Sequence, residues 1–270
     1  MGATGNVGSA VADLLVAGGH GVRALSRGPA EEIAGVRSFA VDMTRGETLR
    51  EGLAGADAAF MMAGYDDEGI VRELRRAGVR RVALLSSNAV EGNGTDNAVA
   101  AYHLASERAL EGSGLGWTFI RPNSLMSNAL RWADAIRAGD PVVAPFAEVA
   151  LALNDPADVA AVAVTAMIGG GLDGRALHTS GPEALRPAEQ VAVLADVLGR
   201  EIGFRAQPDD EARTAMEAAM PKAYVDAFFE FFVDGTADET TVRPTVEEVT
   251  GSPARTFRHW AEAHREAFAT

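Results

Sequence analysis

Three glycines spaced three residues apart open the chain, in Gly2-Ala3-Thr4-Gly5-Asn6-Val7-Gly8. Directly after them Val11, Leu14 and Leu15 recur at helical spacing, and Gly18-Gly19 ends the pattern as a helix C-terminus does. A short strand, Val22 to Leu25, then runs into Ser26-Arg27. Glycine turn, helix, glycine stop and strand make the order of a dinucleotide-binding βαβ unit, in which backbone N–H groups at the helix N-terminus approach a pyrophosphate. Gly2, Gly5 and Gly8, with Thr4, Asn6 and Val7 between them, are therefore assigned to that phosphate turn. An acidic residue at the end of the second strand would accept from the ribose hydroxyls of NAD. Arg27 stands there instead, which favours the 2′-phosphate of NADP(H) over NAD(H). The alternative is an ordinary glycine loop in an unrelated α/β protein.

Further strands are predicted at Arg37 to Val41, Ala58 to Met62, Val82 to Leu85 and Trp117 to Ile120, separated by helices at Thr48 to Leu53, Asp67 to Arg76 and Ala98 to Glu111. Strands alternating with helices imply an α/β fold with a doubly wound parallel sheet. Beyond residue 123 the alternation loosens into a helix Asn128 to Arg137, the segment Pro141 to Leu153, a helix Ala157 to Met167 and a Phe-rich terminal block. The expected division is a Rossmann-like core over 1–125 and, over 126–270, mostly a small C-terminal substrate lobe with segments returning to the core. A doubly wound sheet also has a central strand just before its glycine turn, where here only Met1 stands. A strand upstream of Met1 is therefore expected, since its absence would leave two rows of backbone donors and acceptors unpaired.

Composition removes several functions. There is no cysteine, so thiolate chemistry, disulfides and Cys-ligated metals are excluded. The net charge of −14 repels a phosphate backbone, and direct nucleic-acid binding is not expected. No apolar run approaches the roughly 18 residues of a membrane span, and the N-terminus has no signal-peptide pattern, so a cytoplasmic location away from membranes is the expectation. The five histidines are scattered, which speaks against a metal site, and neither a G-x-S-x-G elbow nor a P-loop occurs.

Residues at predicted strand ends are the candidate ligands. Asp42, followed by Met43, ends the third strand, where a carboxylate can accept from an adenine amino group or merely cap a helix. Met62 and Ala63 end the next strand and line the same cleft. Ser86 follows Val82 to Leu85, in place to polarise a carbonyl or to form a turn. On the helix that follows, His103 and Glu107 stand at i and i+4 and share a face. Leu125, Met126, Trp132, Phe146, Tyr224, Phe228, Phe229, Phe231 and Phe232 are candidates for a flat apolar pocket, with a buried helix or a homodimer contact as the alternative.

The segments GATGNVG, HGVRALSRGP, VDMTRGETL, VRRVALLSSNAVEG, HLASERALEGSGLGWTFIRPNSLMSN and ALNDPADVAAVA, in that order, resemble the NmrA-like group of atypical short-chain dehydrogenases/reductases. The tail segments LHTSGPEALRPAEQVAVLADVLGREIGF and GSPARTFRHWAEAHREAF also fit, so the resemblance spans nearly the whole chain. It implies NAD(P)H binding and, in enzyme members, hydride transfer to a quinone or a small carbonyl substrate, aromatic carbonyls included. It places His103 near the nicotinamide and substrate, and Asn123 beside the cofactor amide. The chain departs from typical short-chain dehydrogenases in lacking their Tyr-x-x-x-Lys pair: Tyr102 is followed four places on by Ser106, and Lys222 is the only lysine. Proton handling then falls to His103, with Tyr102 or Ser86. Two alternatives stay open, a non-catalytic NADPH-sensing regulatory protein and a nonredox isomerase or cyclase on the same scaffold.

Overall fold

The computed structural model describes residues 1–28 and 35–269, so Pro29 of the HGVRALSRGP segment lies outside the described residues. In chain order the elements are α1 (Asn6–Ala17), β1 (Val22–Ser26), β2 (Val36–Ala40), α2 (Arg50–Leu53), β3 (Ala58–Met62), α3 (Asp67–Ala77), β4 (Arg81–Leu85), α4 (Ala98–Glu111), β5 (Gly116–Pro122), α5 (Ala133–Ala138), β6 (Val142–Ala144), α6 (Pro156–Ile168), β7 (Arg175–Thr179), α7 (Pro187–Leu198), β8 (Phe204–Ala206), α8 (Asp209–Ala219), α9 (Lys222–Phe232), α10 (Thr245–Thr250), α11 (Phe257–Ala263) and α12 (Arg265–Phe268).

Every strand pair is parallel. β3, β4, β5 and β7 form a four-stranded sheet in that order, and β1 pairs with β2 in a separate one. Side chains alternate across the larger sheet with the strand period of two. Met61, Leu84 and Phe119 point into one core with Leu53, Ile70, Leu74 and Leu110 from α2, α3 and α4. Phe60, Ala83 and Ile120 point into the other, against Val7 and Val11 of α1 and Val159, Val162 and Ala163 of α6. Helices thus cover both faces, as parallel strands require.

Helix ends follow local chemistry. The Asp66 carboxylate caps α3 by accepting from the Gly69 N–H, and Gly78 ends that helix in the left-handed region at φ 77°. Asn97 and Asp155 cap α4 and α6 in the same way.

Several boundaries differ from the sequence reading. The helix expected from Thr48 begins as a 3-10 turn, Gly46–Leu49, before the short α2. Asn128 to Arg137 is likewise split between a 3-10 segment, Met126–Trp132, and α5. β7, drawn from the later half of the chain, completes the core sheet beside β5. A second core is built from Met126, Trp132, Leu153, Val191, Leu194, Phe257, Trp260 and Phe268, residues expected in the C-terminal lobe.

Candidate functional site

The glycine turn sits between β1 and β3. Gly2 adopts φ 68°, its N–H donates to the Leu25 carbonyl (3.0 Å), and its own carbonyl accepts from the Gly5 N–H (3.0 Å). A Cβ placed on Gly8 would lie 2.1 Å from the Gly2 carbonyl oxygen, and one on Gly2 would lie 2.0 Å from the Met62 sulfur. The turn is therefore closed around hydrogen at both positions, and Met62 forms its floor. The first intrahelical bond of α1 is Ser9 N–H to Gly5 O, and no side chain caps the helix. Its first turn, which includes Asn6, Val7 and Gly8, presents the backbone donors and positive dipole end that anions use. A cradle that only hydrogen fits, leading into an uncapped helix, suits a dinucleotide pyrophosphate.

At the neighbouring strand ends, Ser26 is buried and Arg27 is exposed. Asp42 accepts from the Thr44 N–H (3.0 Å) and hydroxyl (2.6 Å), and these bonds, helped by Arg45 and Arg27, hold its carboxyl below the usual range. Arg27, Asp42 and Arg45 thus share one corner. Arg45 was not singled out in sequence because it falls in a turn with no periodic signal. Met43 is buried in the core, with Ala63 packed against the same cluster.

Deeper in, α4 lies over the end of β3. The Tyr102 ring rests against Gly64, where a Cβ would come within 2.9 Å of it. Tyr102 also approaches Tyr224 of α9 (ring centroids 6.5 Å apart), and burial, with Tyr224 and Tyr65 nearby, pushes its hydroxyl pKa up. All three tyrosines of the chain therefore meet here, and Tyr65 is one that sequence reading missed.

Ser106, which stands where a dehydrogenase lysine would, accepts from the Gly64 N–H (3.0 Å) and donates to Asp67 (2.7 Å). It fixes the loop after β3 and has no cationic function.

His103 and Glu107 do not pair as their spacing suggested. Glu107 is buried, accepts the Ser86 hydroxyl proton (2.6 Å) and receives both Nε (2.9 Å) and Nη2 (2.6 Å) of Arg121. Ser86 is thereby turned away from donating to a substrate carbonyl. The His103 Nδ1 is buried without a partner, and desolvation lowers the imidazole pKa from 6.5 to about 4. The folded state keeps this ring neutral, whereas the unfolded chain protonates it near pH 6.5. Stability is accordingly lost as pH falls from 6.5 toward 4, by on the order of 1 kcal/mol per pH unit from this residue. His103→Gln should flatten that part of a urea-midpoint profile measured between pH 7 and pH 4.5.

Asn123 follows β5. Its N–H donates to the Thr179 carbonyl (3.0 Å), its Nδ2 donates to the Glu239 carbonyl (3.1 Å), and its buried Oδ1 has no partner among the described residues. It therefore presents an unused acceptor.

The aromatic residues of the later chain divide. Trp132 and Met126 belong to the lobe core. Phe146, at φ 53° the only non-glycine residue with positive φ among the described residues, packs on Phe229 and Phe232 of α9 (centroids 5.2 and 5.0 Å). Phe228 and Phe231 sit with Tyr102 in the contact between α9 and α4. Among the described residues no helix is long and apolar enough to cross a membrane.

Comparison with known proteins agrees with this geometry. Residues 2–168 match the family described as NAD(P)H-binding. The chain is 41% identical over 278 aligned positions to a (4-alkanoyl-5-oxo-2,5-dihydrofuran-3-yl)methyl phosphate reductase of Streptomyces griseus, covering 99% of this chain and 98% of that one. It is 31% identical to an NAD(P)H azoreductase of Xenophilus azovorans, again over 99% and 98%. Its fold superposes on an NADPH-dependent quinone oxidoreductase of Escherichia coli solved with NADPH, at a TM-score of 0.78 and 20% identity over 97% of each chain. The glycine cradle and the parallel sheet thus belong to a member of the NAD(P)H-binding family, and the chain is an NAD(P)H-dependent oxidoreductase.

Proposed function

We propose that the protein directs hydride from NADPH to a small electron-poor π-system, a quinone or a conjugated carbonyl compound, held at the carboxyl ends of the strands beneath α9. The observation that carries this reading is the weakness of the acid side of the site. Tyr102 is pushed toward its protonated form, Ser106 replaces the lysine, and His103 stays neutral. A simple ketone reduced here would leave a localised alkoxide with no strong acid to quench it. A conjugated acceptor spreads that charge over its own atoms and needs only a weak donor. The names of the relatives, a furanone reductase, an azoreductase and a quinone oxidoreductase, share such acceptors.

Bound NADPH supplies the hydride. Gly2, Gly5 and Gly8 hold its pyrophosphate with backbone donors, and Arg27, joined by Arg45, takes the 2′-phosphate and gives the preference over NADH. The Asn123 Oδ1 accepts from the carboxamide. The enolate or quinol anion takes one proton, which the Tyr102 hydroxyl supplies, while the neutral His103 ring donates a hydrogen bond from its one N–H to the developing negative charge. Ser86 acts through Glu107 as a positioning group. The reading places the reaction in the cytoplasm.

NADPH and NADH titrations followed by an acceptor panel test it. Tight NADPH binding, loss of the preference in Arg27→Ala, oxidation with quinones or enones, and a drop of about 100-fold in kcat for His103→Ala are expected. Tight binding with no oxidation by any acceptor would identify a sensor, a reading that the missing Tyr-Lys pair favours.

A further inference from the structure

Between α9 and α10 the chain crosses the carboxyl ends of β4, β5 and β7 as an irregular strap, residues 233–244. Its backbone is tied down beyond each strand in turn. The Asp238 carbonyl accepts from Asn88 Nδ2 (2.7 Å), the Glu239 carbonyl from Asn123 Nδ2 (3.1 Å), and the Arg243 N–H donates to the Ser180 hydroxyl (2.7 Å). Glu239 grips the end of β5 twice. Its carbonyl, which also takes the Ala152 N–H (2.7 Å), holds the Asn123 side chain, and its carboxylate accepts from the Ser124 N–H (2.6 Å). The residue is only 8% exposed, and burial pushes its carboxyl pKa up. Burying a carboxyl is costly, and an apolar side chain would fill the same space without that cost. Polar contact to the residues after β5 is therefore what distinguishes glutamate at this position.

We propose that Glu239 is a positioning residue for the nicotinamide end of the cofactor, setting which atom of the Asn123 amide faces it. The proposal rests on the reading of Asn123 Oδ1 as the acceptor for the carboxamide. A backbone carbonyl only accepts, so the edge of the Asn123 amide that meets Glu239 must be its NH2 group. Oδ1 is thereby turned the other way, and it is this atom that is buried without a partner among the described residues. Freed from the Glu239 carbonyl, the amide can make a half-turn and present donors where the carboxamide needs an acceptor. The Glu239 side chain acts one step back, through the Ser124 N–H, by holding the strap where its carbonyl reaches Asn123. Glutamine keeps the length and an acceptor oxygen for that N–H, whereas alanine keeps neither.

The test measures, by titration calorimetry, the affinity of each protein for NADPH and for 2′-phospho-ADP-ribose, which keeps the adenosine, 2′-phosphate and pyrophosphate but has no nicotinamide. Turnover is not needed, so the result does not depend on the acceptor. Glu239→Ala is expected to weaken NADPH about 10-fold, as loss of one oriented hydrogen bond does, and to leave the fragment within about 2-fold. Glu239→Gln should restore the NADPH affinity. Asn123→Ala should show the same NADPH-only loss, and adding Glu239→Ala to it should weaken NADPH little further, because both act through one amide. Where Glu239→Ala does not fold, Glu239→Asp, whose carboxylate falls one methylene short of the Ser124 N–H, carries the same expectation. Equal losses for NADPH and the fragment would overturn the proposal by reducing Glu239 to a structural tie. So would an NADPH affinity that survives Glu239→Ala but not Asn123→Ala. An Asn123→Ala protein that keeps its NADPH affinity would instead overturn the carboxamide reading, and the proposal with it.

Discussion

Gly8→Ala should weaken NADPH binding by about 100-fold or more and lower Tm, while Gly5→Ala, only three residues away, should leave Tm nearly unchanged. The difference is steric and local. A methyl at Gly8 meets the Gly2 carbonyl oxygen at 2.1 Å and the carbonyl carbon at 2.7 Å. Both are backbone atoms of the turn itself, so the clash is relieved only by opening the cradle that aims the α1 donors. A methyl at Gly5 comes no closer than 3.4 Å to the same oxygen, and its backbone at φ −92° suits any residue. A hundredfold change corresponds to about 2.7 kcal/mol. Thermal unfolding of both variants and fluorescence titration of NADPH decide it, and an NADPH affinity left unchanged by Gly8→Ala would mean that this turn does not hold the pyrophosphate.

The largest loss of stability is expected at Glu107. Glu107→Ala leaves the Arg121 guanidinium, only 20% exposed, without the carboxylate that takes its Nε and Nη2. Removing one partner of such a pair costs about 3–5 kcal/mol. In a chain this size that lowers Tm by roughly 10 °C. The Ser86 hydroxyl also loses its acceptor, so the end of β4 and the end of β5 come untied together. Replacing both partners, as Glu107→Leu with Arg121→Met, should recover much of the loss, because no buried charge is then left alone. A double variant no more stable than Glu107→Ala would show that the pair has a role beyond charge balance.

Much of the core was readable because its signals are local. α3 follows from an Asp cap, an apolar stripe and a left-handed glycine stop, all within thirteen residues of Asp66. β3 and β4 follow from short apolar runs bounded by turns. The partner of Glu107 was not readable, because the i,i+4 rule sees only its own helix. The groups that reach it, Arg121 on β5 and Ser86 just after β4, are 14 and 21 residues away in sequence. The same limit applies to His103, whose helical position was legible but whose neutral state comes from burial supplied by the surrounding fold. The 3-10 segment Met126–Trp132 has an apolar content that also suits an α-helix, and only packing in the lobe core distinguishes the two. Ser106 was visible as a departure from the lysine pattern, yet its bond to Asp67 spans 39 residues and could be found only in three dimensions.

The exposure of β2 also sets how opening motions are distributed. β2 is half-buried or exposed along its whole length and, among the described residues, shares a ladder with β1 alone. Amides in this pair should exchange with deuterium through a sub-global opening well below the free energy that unfolds β4 and β5, whose ladders lie between strands on both sides. Arg27 and Asp42 stand at the ends of this softer unit. The adenosine end of the cofactor would then be gripped by the part of the molecule that opens most readily, and occupancy would slow exchange there first, making the β1–β2 amides a direct gauge of cofactor binding.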